Sequence, residues 1–417
     1  MYACSDVFDY LERAVTLPTP LSVMYIASRI ERLGTETAFE VLARAKALEA
    51  KGRDIIHLEI GEPDFDTPAN IIEAAKRALD EGWTHYGPSA GLPQARTAIA
   101  EYFNRTRSIS KYTAEHVVVT PGAKPIIFFG LQATIEPGDE VIYPNPGFPI
   151  YESVINYLGA KPVPLPLREE KEFRFELADL EARITPKTRM IIINSPQNPT
   201  GGVLTYEDLA GIAELAVRHN IIVFADEIYS QIMYDGQRHY SITQFEGMEE
   251  RTIVLDGFSK TFAMTGWRLG YGLMPPSLAK VVARLQTNCT SCAPSFTQIA
   301  GIEAMSERTL PAVAGFVEEF RRRRDAIVAG LNALPGIRCH MPKGAFYVFP
   351  NISGTGMRSS EFADFMLEHV GVACLSGTSF GSEGEGFVRF SYANSLENIQ
   401  RAIERMEVAL SKHVLMQ

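Results

Sequence analysis

The sequence predicts an α/β protein with two bodies: a large three-layer αβα domain built on a mostly parallel sheet, and a smaller α/β domain after it. Three observations carry this. Short β-rich runs alternate with helical patterns through the middle of the chain, those runs are almost continuously apolar, and past about Gly301 the alternation gives way to a long helical stretch. Alternation of this kind implies βαβ units and parallel strands. Nearly continuous apolar strands imply a sheet covered on both faces.

Taken in order, the segment 1–52 is expected to be helical and to join the small domain or pack on a partner copy. Its first 27 residues, with Cys4-Ser-Asp-Val-Phe-Asp-Tyr and Leu17-Pro-Thr-Pro, fit either an extra helix or a tail. The large domain spans 53–300. Its strands are read at Val117-Val-Val-Thr, Glu140-Val-Ile-Tyr, Met190-Ile-Ile-Ile-Asn, Ile221-Ile-Val-Phe-Ala, Thr252-Ile-Val-Leu and Leu269-Gly-Tyr-Gly-Leu. The small domain, 301–417, opens with a helical stretch to about Leu334. Strand-like Ala345-Phe-Tyr-Val-Phe and Gly386-Phe-Val-Arg-Phe-Ser follow, then a terminal helix from Leu396.

Composition narrows the function classes. The 417 residues, 46% hydrophobic and 22% charged, describe an ordinary globular chain with material for a large core. A net charge of -10 argues against a nucleic-acid partner, which favours a basic face. The one dense basic run, Arg321 to Arg324, lies in a helical pattern and reads as a solvated face. Cys4, Cys289, Cys292, Cys339 and Cys374 form an odd set with a single CxxC pair, which disfavours a zinc or disulfide framework. The acidic start, with Asp6, Asp9 and Glu12, fits neither a signal peptide nor a membrane span. A cytoplasmic enzyme without a membrane or metal partner is the expectation.

In a doubly covered sheet, ligands bind beyond the carboxyl ends of the strands. Three such ends carry polar groups: Asn194 begins Asn-Ser-Pro-Gln-Asn-Pro-Thr-Gly, Asp226 follows Ile-Val-Phe-Ala, and Gly257-Phe-Ser-Lys260 follows Ile-Val-Leu-Asp. Lys260, among small and hydroxyl residues and eight positions before Arg268, suits a lysine that forms an imine with a cofactor aldehyde; on its own it reads equally as a surface lysine in a loop. An imine-forming lysine must be deprotonated part of the time, so its pKa must fall well below ~10.4 through burial or a nearby cation. Arg268 is either that cation or a phosphate grip. Asp226 alone also reads as a helix cap.

The chain resembles the fold type I, pyridoxal-phosphate-dependent aminotransferases of class I and II, from roughly Ser28 to the end. The resemblance rests on Ile60-Gly-Glu-Pro-Asp-Phe-Asp-Thr-Pro, Tyr86-Gly-Pro-Ser-Ala-Gly-Leu, Gly122-Ala-Lys, Asn198-Pro-Thr-Gly, Asp226-Glu-Ile-Tyr229, Ser259-Lys260 with Arg268, and Arg389-Phe-Ser-Tyr, all in the family's order. It implies pyridoxal 5'-phosphate on Lys260, which also moves the proton, and Asp226 on the pyridine nitrogen. Asn198 and Tyr229 are implied as donors to the ring's 3-hydroxyl oxygen. Gly122, Ala123 and Lys124, opening an apolar helix, are implied with Ser259 and Arg268 as the phosphate cradle. Gly257 stands where many relatives carry a serine, so one phosphate hydrogen bond is expected to be missing. Tyr86 resembles the tyrosine that reaches the phosphate from a neighbouring subunit, which implies a homodimer with shared sites; as a residue it also reads as a core aromatic. Phe148 matches the aromatic stacked on the cofactor, and is otherwise core. Arg389 matches the grip on the substrate α-carboxylate, with Gly61 allowing close backbone approach.

The implied activity is transfer of an amino group between an L-amino acid and a 2-oxo acid, with glutamate and 2-oxoglutarate serving one half. Lys124 stands where bacterial aspartate aminotransferases of the prephenate-using type hold a distal carboxylate. Ala38 and Glu40 take the places of a serine and a threonine there, so a Glu40–Lys124 pair is expected to close that subsite and put aspartate in competition with other donors. A C–S lyase on the same fold is the alternative activity. A non-enzymatic regulator would need a DNA-binding domain, for which about 27 extra residues are too few.

Overall fold

The computed structural model describes residues 26–414, so the alternatives for the first 27 residues, and Cys4, fall essentially outside the described residues. Twelve strands occur among the described residues: β1 (Ile56–His57), β2 (Val117–Thr120), β3 (Glu140–Asn145), β4 (Lys161–Pro166), β5 (Thr188–Asn194), β6 (Ile222–Asp226), β7 (Thr252–Gly257), β8 (Gly270–Leu273), β9 (Tyr347–Val348), β10 (Val372–Ala373), β11 (Leu375–Ser376) and β12 (Val388–Ser391).

Seven form the central sheet in the order β2-β8-β7-β6-β5-β3-β4. All neighbours are parallel except β8, which runs antiparallel to both β2 and β7. Residues of β2, β3 and β7 are buried throughout, as a sheet covered on both faces requires. Strand β4 escaped the sequence reading because Pro162, Pro164 and Pro166 interrupt it; it lies at the sheet edge, where missing N–H groups are tolerated.

A three-stranded antiparallel sheet, β11-β12-β9, belongs to the C-terminal part. The parallel pair β1-β10 ties Ile56 and His57 to the same part. The helix Thr37–Glu49 buries Ala45 against Ile55, Leu367 and Ala373. The expected helical stretch to Leu334 is two helices, Ser295–Ala304 and Leu310–Ala333, the second starting with Pro311 in its first turn.

The basic run in that second helix is only half solvated. Arg321 and Arg322 pair with Glu318 and Glu319 on the surface. Arg323 and Arg324 are buried: Arg323 reaches Asp64 at 2.6 Å and lies over Phe65, and Arg324 reaches Asp235 at 2.7 Å over Tyr234. Their long apolar stems let a charged run dock on a second surface. Among the described residues no helix is long and apolar enough to cross a membrane.

Candidate active site

The carboxyl ends of β5, β6 and β7 lie side by side, with Asn194 registered opposite Asp226. Beyond them opens a cavity of about 470 Å³, within the ~300–1,000 Å³ common for small-molecule sites. Of the residues singled out in the sequence, Gly61, Ala123, Lys124, Phe148, Asn198, Asp226, Tyr229, Ser259, Lys260, Arg268 and Arg389 all line it.

Asp226 is buried at the end of β6. Its Oδ2 accepts a hydrogen bond from the Tyr151 hydroxyl at 2.6 Å, and its Oδ1 accepts the Ile228 N–H at 3.2 Å. Burial pushes its carboxyl up to about 6; the Tyr151 and Ile228 hydrogen bonds oppose this, while the negative Asp256 and Glu227 add to it. Tyr151 stands three residues after Phe148 on the helix Ile150–Tyr157, its ring edge-on to that of Phe148 at 5.6 Å. No motif marked it.

Lys260 donates to the carbonyl oxygen of Gly61 at 2.5 Å. Burial lowers its ammonium to about 8, with Arg389 adding to the shift and Glu62 opposing it. Gly61 is glycine for a steric reason: a Cβ there would lie 2.0 Å from the Tyr347 hydroxyl. That hydroxyl meets the Tyr229 hydroxyl at 2.8 Å, so Tyr229 has a protein partner that the sequence did not reveal.

Gly122 does not line the cavity itself but lies under the Arg268 guanidinium, where a Cβ would come within 2.2 Å of Nη2; its φ of +83° suits glycine alone. The helix Lys124–Thr134 begins two residues later, and Ala123, Lys124 and Arg268 all line the cavity, at the positive end of the helix dipole. Gly257 ends β7 against Gly270 of β8.

Arg389, on β12, is buried. Its Nη1 donates to Asn198 Oδ1 at 3.0 Å and its Nη2 to the carbonyl of Glu59, while the guanidinium lies 4.5 Å from the Tyr347 ring centroid and 5.0 Å from that of Phe380. Its Nε is buried without a partner.

Two expectations need correction. Glu40 does not reach Lys124: it is exposed on the helix Thr37–Glu49 and outside the cavity. Four helical residues advance ~6 Å along the axis, and the acid that meets Lys124 is Glu36, just before the helix. Tyr86 is no core aromatic, being 90% exposed, and it lies outside the cavity of its own chain.

A buried ionic cluster sits behind the site. Arg107, with no exposed side-chain surface, reaches Glu227 at 2.9 Å, Asp256 at 2.7 Å and the Ser230 hydroxyl at 2.9 Å. Sequence reading gave Glu227 no role beyond its place in a motif and did not mark Arg107 at all. No motif separates Arg107 from any other helical arginine.

The family model for aminotransferase class I and II matches residues 53–406. An aspartate aminotransferase of Pyrococcus horikoshii is 46% identical over 387 residues, covering 93% of this chain and 97% of that protein. The aromatic-amino-acid aminotransferase 2 of Thermococcus litoralis is 42% identical, covering 94% and 100%. Among solved structures, the aspartate aminotransferase of Thermus thermophilus with maleate superposes with a TM-score of 0.88 at 37% identity, covering 92% of this chain and 99% of that one.

Proposed function

The chain belongs to the class I and II aminotransferases, whose cofactor is pyridoxal 5'-phosphate, and we propose that it moves amino groups between 2-oxoglutarate and either a dicarboxylic or an aromatic L-amino acid. The observation that carries this is the pair of cations, Arg389 and Lys124, lining the same cavity as Lys260. One suits an α-carboxylate and the other a side-chain carboxylate, while Phe148 and Phe39 add apolar surface to the same cavity.

The cavity fits the cofactor on several counts. The buried Asp226 carboxyl, pushed up to about 6, is stabilised in its ionised form by a cationic N–H such as a protonated pyridine. The Gly122 turn under Arg268, with the following helix start, matches a phosphate. When bound, the cofactor supplies an aldehyde and a ring that takes up the electrons released at the substrate Cα.

The chain's own residues supply the rest. Lys260, lowered to about 8, has a neutral fraction near pH 7 and accepts the Cα proton at Nζ, later returning it. Tyr151 holds Asp226 in place through its 2.6 Å hydrogen bond. Arg389, packed on the Tyr347 and Phe380 rings and tied to Asn198, offers a preset fork to the α-carboxylate. Tyr229, paired with Tyr347, and Asn198 line the same cavity and would hold the ring's 3-oxygen.

The exposed Tyr86, with no place in its own cavity, supports a homodimer in which it completes the partner site; sedimentation of the holoenzyme tests the dimer. We read 53–300 as the cofactor-binding domain and 301–417 as the small domain, with the helix Thr37–Glu49 packed on the latter, and place the enzyme in the cytoplasm. The direct test is the cofactor's absorbance in the purified holoenzyme after addition of single amino acids. Conversion to the amine form by aspartate, glutamate or phenylalanine, reversed by 2-oxoglutarate, is expected. Ammonia and pyruvate appearing without any oxo acid would instead identify a lyase.

A further inference from the structure

Among the described residues, Glu36 is the one acid of the N-terminal segment that reaches Lys124 in the cavity lining. It stands just before the helix Thr37–Glu49, and its Oε1 meets Nζ of Lys124, the first residue of the helix Lys124–Thr134. The Glu36 side chain is 18% exposed and that of Lys124 46%. The same carboxylate lines the cavity and acts electrostatically on Lys260 and on Arg389. The cavity therefore already holds a side-chain carboxylate of its own, placed on the cation farther from β12.

We infer that Glu36 is a built-in competitor for the Lys124 subsite: the side-chain carboxylate of a dicarboxylic substrate must displace it, whereas an aromatic substrate leaves the pair in place and packs beside it. Resting on the transaminase reading above, this adds what ranks its substrates. The exchange is balanced, since Lys124 is paired with one carboxylate before and after, and Glu36 is free to turn outward because its helix starts there and the pair is open to water on the lysine side. With the pair closed, Lys124 is neutralised and its stem lies by the Phe148 ring, the ammonium 5.6 Å from the ring centroid, with Ala38 and the 60% exposed Phe39 on the same wall. That surface suits an apolar side chain better than a free ammonium does. Glu40, exposed and off the cavity, cannot substitute.

The test uses the holoenzyme with succinate, an unreactive dicarboxylate, titrated by its effect on cofactor absorbance, together with the half-reactions of glutamate and phenylalanine. Glu36→Gln keeps the shape and removes the charge. An ion pair this exposed is modest, so the expected result is succinate binding tighter by about threefold to fivefold, and the same rise in the ratio of glutamate to phenylalanine affinity. In a Lys124→Met background, Glu36→Gln should add nothing to that ratio. The inference is overturned if Glu36→Gln leaves succinate unchanged or weaker, shifts glutamate and phenylalanine equally, or acts as strongly without Lys124. A wild-type enzyme that converts neither amino acid would instead bring down the substrate reading itself, and the competitor with it.

Discussion

The ammonium of Lys260 is hydrogen-bonded to the backbone carbonyl of Gly61, 2.5 Å away and 199 residues earlier in the chain. The lysine proposed to carry the chemistry is thus held by the strand extension that also carries Glu59, whose carbonyl accepts Arg389. Four expectations can be read from this arrangement and its surroundings.

Because burial lowers Lys260 to about 8, the neutral amine grows with pH, reaches half near that value and saturates above it. Covalent capture of pyridoxal phosphate by the apoprotein should accelerate with pH and level off beyond about 8. Borohydride trapping and intact-mass measurement should place the adduct on Lys260. Lys260→Ala should give no adduct and lower transamination by at least ~10²–10⁴-fold, as loss of a positioned base does; an adduct surviving in that variant would refute the assignment.

Tyr151→Phe removes the side-chain donor to Asp226. A hydrogen bond to a charged group is worth ~1.5–3 kcal/mol, so cofactor affinity should weaken about tenfold or more. This bond lowers the Asp226 carboxyl, which sits at about 6 with the bond in place. Its loss should therefore move the acid limb of cofactor affinity to higher pH, whereas a purely structural defect would weaken binding equally at every pH. Fluorescence titration of the apoprotein between pH 5 and 8 reads this directly.

Arg389→Lys keeps the charge and loses the fork that spans Asn198 and the Glu59 carbonyl. Apparent affinity for every amino and oxo acid should fall by about 10- to 100-fold, irrespective of side chain. That uniformity separates it from changes at Glu36 or Lys124. A selective loss of dicarboxylates would mean that the two cations have exchanged roles.

Arg107→Met strands Glu227 and Asp256 in the interior, and removing one partner of a buried ionic cluster costs ~3–5 kcal/mol, visible in urea unfolding. Desolvation pushes Glu227 up, yet His239 and Arg107 together bring it down to about 2. A carboxyl whose folded value is depressed contributes stability that is complete above its ordinary 4.5 and drains as pH falls toward 2. The wild type should lose stability across that interval, and Arg107→Met should show a smaller acid-dependent loss.

The large domain was legible because its strands are short apolar runs and its polar residues follow them directly, so Asn194, Asp226 and Lys260 announce a crevice. What was hidden depends on geometry that spacing does not encode. Glu36 and Glu40 differ by one turn, and only the start of the helix at Thr37 decides which faces Lys124. Tyr151 reads as one more apolar helix residue until its hydroxyl is seen on Asp226. The two-residue strands β1, β10 and β11 are too short for any periodicity to register. Arg324 looks solvated until Asp235 is brought to it from 89 residues away.

The segment after Arg53 is stitched to the far end of the chain: the N–H of Ile56 donates to Gly371, that of Leu58 to Ala373, and that of Ser391 to Leu58, while Arg389 reaches across 330 residues to Glu59. Closing contacts so distant in sequence carries a large entropic cost and slows folding. During synthesis the Lys260 loop leaves the ribosome well before β12 exists, so the large domain can condense with its central lysine in place but without its carboxylate grip. The pocket is finished only when almost the whole chain has emerged, and a nascent chain cut short of Arg389 lacks one of the two cations proposed to hold a substrate.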